Sequence, residues 1–190
     1  METLASRLAA APPPSVEELQ SVPTFADLPA DGLAWLASQM SVLDFESGEI
    51  TIHEGDPADH LVVVLQGELG SETANGRLWR VNAGHVTGLL PFSRLTHYPG
   101  TARVYGPSRL ATLHKSHFPE MLQRMPVLQG RLVSLLADRV RDSAVSDLRR
   151  EKLMALGKLS AGLAHELNNP ASAARRAARP GGVTARRIRI

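Results

Sequence analysis

His165 is followed by Glu166, with Asn169 one helical turn further on and Pro170 beside it. An imidazole next to a carboxylate can act as a nucleophile or a general acid–base group, since Glu166 could orient the ring or take its proton. Asn169 could position water or a partner group. Around them, Leu153, Leu156, Ser160, Leu163 and Leu167 are spaced three, four, three, four. That is a heptad seam, which suits a helix packing against partner helices. On this register His165 lies opposite the seam and faces water. Pro170 has no amide hydrogen and is expected to kink the helix or end it.

Gly157, the small residues at 160 to 162, the His-Glu pair and Asn168-Asn169-Pro170 occur together. From Glu151 to Ala178 the chain resembles the phosphoacceptor box of sensor histidine kinases. The resemblance implies that His165 accepts a phosphoryl group, with Glu166 and Asn169 as its catalytic neighbours. It also implies a phosphorelay of the two-component kind, whose partner is a response-regulator receiver domain. A kinase of this family needs a second antiparallel helix for its four-helix dimer, and an ATP-binding domain. Neither follows Ala178, so ATP and magnesium are expected only with that missing domain, and this chain alone is expected to be inactive. In the tail, Pro180-Gly181-Gly182 stops any helix, and six arginines follow the last acid, Glu166. Residues 179–190 read as a disordered basic tail, the product of a truncated or frame-shifted reading frame.

The chain has 190 residues, 43% of them hydrophobic, which is enough for one globular domain and an appendage. It has no cysteine, which excludes disulfides, thiolate metal sites and cysteine nucleophiles. A formal net charge of +2 gives no argument for nucleic acid. No apolar run approaches the roughly 18 residues a membrane span needs. A cytoplasmic protein is expected, sensing an intracellular signal. Of the histidines, only His114 and His117 form a close pair, with no cysteine or acidic cluster beside them, and a metal site is not expected.

Residues 1–24 read as a leader in which Pro12-Pro13-Pro14 favours extended polyproline structure over packing. A short helix capped by Ser15 is expected through Gln20, then a helix within Asp27–Met40. From 41 to 115, glycines punctuate short apolar runs: Val42–Phe45, Glu49–His53, His60–Gln66, Glu68–Thr73, Arg77–Val81, Thr101–Tyr105 and Arg109–His114. This spacing predicts a closed or sandwiched antiparallel β structure. Asn75-Gly76 predicts a hairpin with positive φ at both central positions. Leu61 to Leu65 is apolar throughout, as for a strand covered on both faces. Helical patterns return after Phe118, with a break at Pro126. The absence of Gly and Pro between Gly130 and Gly157 allows a continuous connecting helix.

Helix, β-roll and two helices is the layout of the cyclic nucleotide-binding fold. Phe25 to Pro29 resembles that family's entry helix, Ser47-Gly48-Glu49-Ile50 and Glu54 to Asp59 its first turns, and Val64 to Leu69 its next strand and turn. The resemblance implies a phosphate cassette between Gly84 and Val104, including Thr87, Gly88, Leu89, Thr101 and Arg103. Gly88, Thr101 and Ala102 match the family pattern. Leu89 stands where a glutamate holds the ribose, and Gly100 where an arginine pairs with the phosphate. Each missing charge-assisted bond is worth roughly 1.5–3 kcal/mol. Cyclic nucleotide is therefore not expected to bind through the usual anchors. Arg103 or Arg94 could supply a substitute charge, but both are read as solvated surface arginines.

The expected fold is thus α+β, mainly β. A cyclic nucleotide-binding-type antiparallel β-roll flanked by helices (25–126) precedes a connecting helix (127–152) and a partial dimerisation and phosphoacceptor helix (153–178). The expected function is the sensory and phosphoacceptor portion of a cytoplasmic histidine kinase, acting as a homodimer with a small-molecule ligand possible. The alternative is a cyclic nucleotide-binding-like regulatory or dimerisation module without kinase activity.

Overall fold

A computed structural model describes the backbone of residues 11–177, and the side chains up to Ser160 apart from Arg150 and Lys158. Ser15 begins the first helix, α1 (Val16–Gln20): its hydroxyl accepts from the Glu18 amide while the Glu18 carboxylate accepts from the Ser15 amide. This reciprocal pair satisfies two amides that a helix start leaves bare. Beyond α1 the chain makes three successive tight turns. The amides of Val22, Phe25 and Leu28 bond the carbonyls of Leu19, Val22 and Phe25. Each turn drives an apolar side chain into the core, and Leu19, Val22 and Phe25 are almost wholly buried.

This corrects the expectation of a non-packing leader. Three-residue spacing of Leu19, Val22, Phe25 and Leu28 gives the segment one apolar edge. Even the prolines take part: Pro14 is buried, and the Pro12 carbonyl accepts from the Val42 amide. That bond covers an otherwise open strand edge, and a proline cannot extend the ladder further.

After α2 (Ala30–Gln39) come eight strands: β1 (Ser41–Phe45), β2 (Ile50–Ile52), β3 (His60–Gln66), β4 (Glu68–Thr73), β5 (Leu78–Asn82), β6 (His85–Gly88), β7 (Gly100–Val104) and β8 (Ser108–His114). They form two four-stranded antiparallel sheets, ordered β1-β8-β3-β6 and β2-β7-β4-β5. Every ladder joins one of the first four strands to one of the last four. The roll is a long hairpin, folded over, with its tip between β4 and β5.

That tip differs from the expected two-residue turn. The Gly76 amide bonds the Thr73 carbonyl, the Thr73 amide bonds the Arg77 carbonyl, and only Gly76 takes positive φ. This is the three-residue hairpin loop, a type I turn closed by a left-handed glycine. Asn75 is thereby spared the left-handed conformation.

Charge follows the same division. No Lys or Arg occurs between Arg7 and Arg77, and no Asp or Glu between Glu72 and Glu120. Since strands of the two halves alternate across both sheets, the acid-bearing β1 and β4 lie beside β8, β5 and β7, each of which carries an arginine. Asp44 on β1 is the register partner of Arg109 on β8 and accepts from its guanidinium at 3.1 Å. Glu68 on β4 accepts from Arg80 on β5 at 2.6 Å.

The core has two layers. Leu61 and Val63 of β3 pack outward against α1, α2 and the helices after β8, with Leu33, Leu36, Leu113, Met121 and Leu128. Val62 and Val64 point between the sheets with Leu43, Phe45, Ile52, Leu69, Val104 and Leu110. This is why β3 is apolar at consecutive positions. Burying such side chains stabilises the fold by about 1.5–3 kcal/mol each.

A 3-10 turn (Lys115–His117) leads into α3 (Phe118–Arg124). Pro126 then opens α4 (Pro126–Ala177), a position where its missing amide hydrogen is not needed. The first turns of α4 belong to the roll unit: Leu128 and Leu132 are buried, and Arg131 donates to the Thr24 carbonyl at 2.9 Å and to Asp27 at 3.2 Å. The segments 127–152 and 153–178 run as one element, the continuous helix that the absence of Gly and Pro between Gly130 and Gly157 allows. The helix also does not end at Pro170. The chain divides into two compact units between Asp138 and Arg139. Among the described residues, no helix is long and apolar enough to cross a membrane.

Candidate functional site

The segment expected to hold a phosphate begins as a strand that the sequence reading missed. β6 pairs with β3, placing Thr87 opposite Val62 and Gly88 opposite Leu61. Gly88 has φ 70°, and a Cβ there would lie 2.6 Å from the His60 carbonyl oxygen. Only glycine suits both the dihedral and the space. His85-Val86-Thr87-Gly88 is too short and too polar at alternate positions to stand out as an apolar run, which is why spacing did not reveal it.

No helix follows Gly88 before β7. The Leu89 amide donates to the His60 carbonyl at 2.8 Å, and its side chain is buried in the outer core layer with Leu61, Leu90 and Leu113. Position 89 therefore does not face the space between the sheets. The chain then turns at Leu90-Pro91-Phe92-Ser93, closed by a bond from the Ser93 amide to the Leu90 carbonyl. Phe92 sits at φ 67°, the one non-glycine residue with positive φ among those described, and is 57% exposed. A type II turn normally reserves that position for glycine.

On β7, Gly100, Ala102 and Val104 are buried while Thr101 and Arg103 alternate with them. Thr101 and Arg103 thus share the outer face. Thr101 Oγ1 accepts from the Glu54 amide at 3.2 Å, and the exposed Arg103 guanidinium donates to the Gly48 carbonyl. The shared parity of Thr101 and Arg103 holds, but it turns Arg103 away from the roll interior. A Cβ at Gly100 would lie 2.6 Å from the Glu72 carbonyl oxygen, so that position has no room for an arginine without backbone movement. Arg94 is exposed.

The interior between the sheets holds a cavity of about 10 Å³, room for one water at most. Its lining includes Leu43, Phe45, Ile52, Leu69, Thr51 and Thr112, and no charged side chain, and the two threonine hydroxyls are turned to the Ala102 and Ser41 carbonyls. Thr87, Gly88, Leu89, Thr101 and Arg103 are not brought together around it.

The fold can be set beside known proteins on this geometry. Residues 42–125 match the family model of the cyclic nucleotide-binding domain. The β-roll and its flanking helices are of the cyclic nucleotide-binding type. A crystal structure of a cyclic nucleotide-binding domain from Methylobacillus flagellatus is similar at 25% identity, over 67% of this chain and 77% of that one, with a TM-score of 0.54. The catabolite activator protein of Thermus thermophilus shares the fold at 19% identity, over 65% and 61% of the two chains, with a TM-score of 0.56. A Rhodopseudomonas palustris protein named as a potassium channel protein is 25% identical over 122 residues. That alignment covers 62% of this chain and 29% of the relative, so the chain spans less than a third of that relative's length. The family match ends before His165.

His165, Glu166, Asn169 and Pro170 fall within α4, but their side chains lie outside the described residues. So do those of Leu163 and Leu167. Of the seam, Leu153 and Leu156 are 69% and 59% exposed, and Ser160 is exposed. Residues 179–190 lie outside the described residues altogether.

Sequence spacing also hid one pair of histidines. His60 and His114 are register partners on β3 and β8, with ring centroids 5.1 Å apart. Their separation along the chain gave no signal, since a cross-strand pair shows only once the topology is known.

Proposed function

We propose that residues 11–138 act as a regulatory module of the cyclic nucleotide-binding type that has kept the fold and lost the cyclic phosphate anchors. The observation that carries this is the position of the two anchor sites. Leu89 is buried in the outer core, and Gly100 is sealed against the Glu72 backbone. An anion entering the roll would leave water for an interior lined almost wholly by apolar groups. Charge is not transferred to such a site without a paired cation. The likenesses back a regulatory module more than a kinase.

In this reading α4 is the output element. Leu148, Leu153, Leu156 and Leu159 are more than half exposed, and a second copy of the chain is the cover we propose. A second reading makes α4 the carrier of a phosphoacceptor at His165. The support for it is the motif from Glu151 to Ala178, together with the helical backbone that extends through His165. In that reading the ATP-binding domain and the receiver are separate from the described unit.

Calorimetric titration of the whole chain with cyclic AMP and cyclic GMP tests the first reading. No binding at millimolar nucleotide is expected. Micromolar binding would overturn it and return Arg103, Arg94 or backbone amides to the role of anchors.

A further inference from the structure

We propose that His60 and His114 form a site for a borderline divalent transition-metal ion such as copper(II), nickel(II) or zinc(II). The two residues sit directly opposite each other, at the first position of β3 and the last of β8. Their rings meet edge to face at 69° with centroids 5.1 Å apart. Neighbouring imidazoles suit metals of this class, whereas magnesium and calcium prefer oxygen.

Both rings are already held from behind. His60 Nδ1 is 2.5 Å from Asp59 Oδ1. The carboxylate can only accept, so Nδ1 donates and the Nε2 lone pair is left for a ligand. A carboxylate behind the imidazole is the arrangement that metal-binding histidines use to fix the tautomer. His114 Nδ1 accepts from the Ser116 amide at 3.3 Å and lies 2.9 Å from the Ser116 hydroxyl. Those bonds leave the neutral His114 ring protonated on Nε2, so metal binding there moves the proton to Nδ1: the Ser116 amide bond is given up and the Ser116 hydroxyl accepts from Nδ1.

The backbone fixes the frame. The Tyr98 hydroxyl donates to the His60 carbonyl at 3.1 Å, and the Lys115 amide donates to the Asp59 carbonyl at 2.7 Å. The His114 side chain is exposed and that of His60 is 18% exposed, so solvent ions can reach the pair. Among the described residues, no group of three or more His, Cys, Asp or Glu side chains converges for a metal. The protein therefore supplies two nitrogens, and water completes the coordination. The ion would tie the end of β8 to β3 beside the turn that opens into α3.

The test is calorimetric titration of the full chain with nickel(II) chloride, repeated with copper(II) and with magnesium as the hard-ion control. We expect one nickel site per chain, tighter copper binding, and no magnesium binding. His114→Gln should weaken nickel binding at least about tenfold. The position is exposed, and circular dichroism checks that the variant is folded. His60→Gln should do the same, whereas His85→Gln and His97→Gln should leave the affinity unchanged. Absent nickel binding, or binding that survives both His114→Gln and His60→Gln, overturns the proposal.

Discussion

Arg109 on β8 joins Glu18 in α1 to Asp44 on β1: its Nε lies 2.8 Å from Glu18 Oε1 and its Nη1 3.1 Å from Asp44 Oδ1. One guanidinium thereby ties the leader to the roll. The Glu18 carboxyl sits below its ordinary value, chiefly because the Ser15 amide donates to it and then because Arg109 does, against a partial opposing effect of burial. For Arg109, burial works against the charged form, and its bonds to Glu18 and Asp44 outweigh it and raise its pKa.

A depressed carboxyl stabilises the fold above its unfolded-state pKa and loses that contribution as pH falls through the folded one. Glu18→Gln should therefore lower stability near neutral pH, by about 1 kcal/mol or less for a partly solvated pair. The difference from the parent chain should shrink on acidification below the normal carboxylate range. Urea titrations of both proteins at pH 7 and pH 3 measure it; an equal gap at the two pH values would count against the assignment.

Leu19 and Val22 should behave as core residues despite their place in a proline-rich leader. Leu19→Ala should destabilise by about 2–5 kcal/mol, as for a leucine removed from a closed core. Chemical denaturation reads this directly. A change under about 0.5 kcal/mol would mean that the leader is dispensable.

Phe92→Gly should make the protein more stable. The left-handed conformation costs a non-glycine residue about 1–2 kcal/mol, and glycine's larger loss of freedom on folding returns only part of that gain. A rise in Tm is expected. A fall would show that the Phe92 ring makes contacts worth more than the strain.

Gly100→Arg should fail to create cyclic nucleotide binding, even though it supplies the arginine that the resemblance implies at this position. Its Cβ would meet the Glu72 carbonyl oxygen at 2.6 Å. Forcing atoms into a closed space costs about 1–3 kcal/mol. Stability and cyclic AMP titration of this variant should show a loss in the first and no gain in the second. Micromolar binding would sink the idea that the site is closed by the backbone.

What could be read in the sequence followed the strength of local pattern. The ends of β3 and β4 matched the runs His60–Gln66 and Glu68–Thr73, because β3 is buried on both faces and β4 lies between turn glycines, Gly67 and Gly76. The Ser15 cap and the break at Pro126 were legible because they depend on a few adjacent residues. β6 was not, since its single buried residue, Val86, makes no pattern by itself. The Asn75-Gly76 turn was placed correctly and its geometry misread, because one extra loop residue lets glycine alone take positive φ. For the candidate site, the sequence offered Leu89 and Gly100 only through a resemblance, as the positions where the anchors would stand. Their burial in the outer core and against Glu72 needed the fold. The pairing of His60 with His114 also needed it.

The division of strands at Gly76 bears on how the chain is made. During synthesis β1 to β4 emerge first, and none of them pairs with another of that group. The stretch that contains them carries acids without a single Lys or Arg between Arg7 and Arg77. The nascent half-chain thus has no native ladder to close and repels itself electrostatically. Folding of the roll must wait for the basic strands, and the last of these, β8, ends at His114. On the ribosome the domain should appear in one late step, when its final strand clears the exit tunnel.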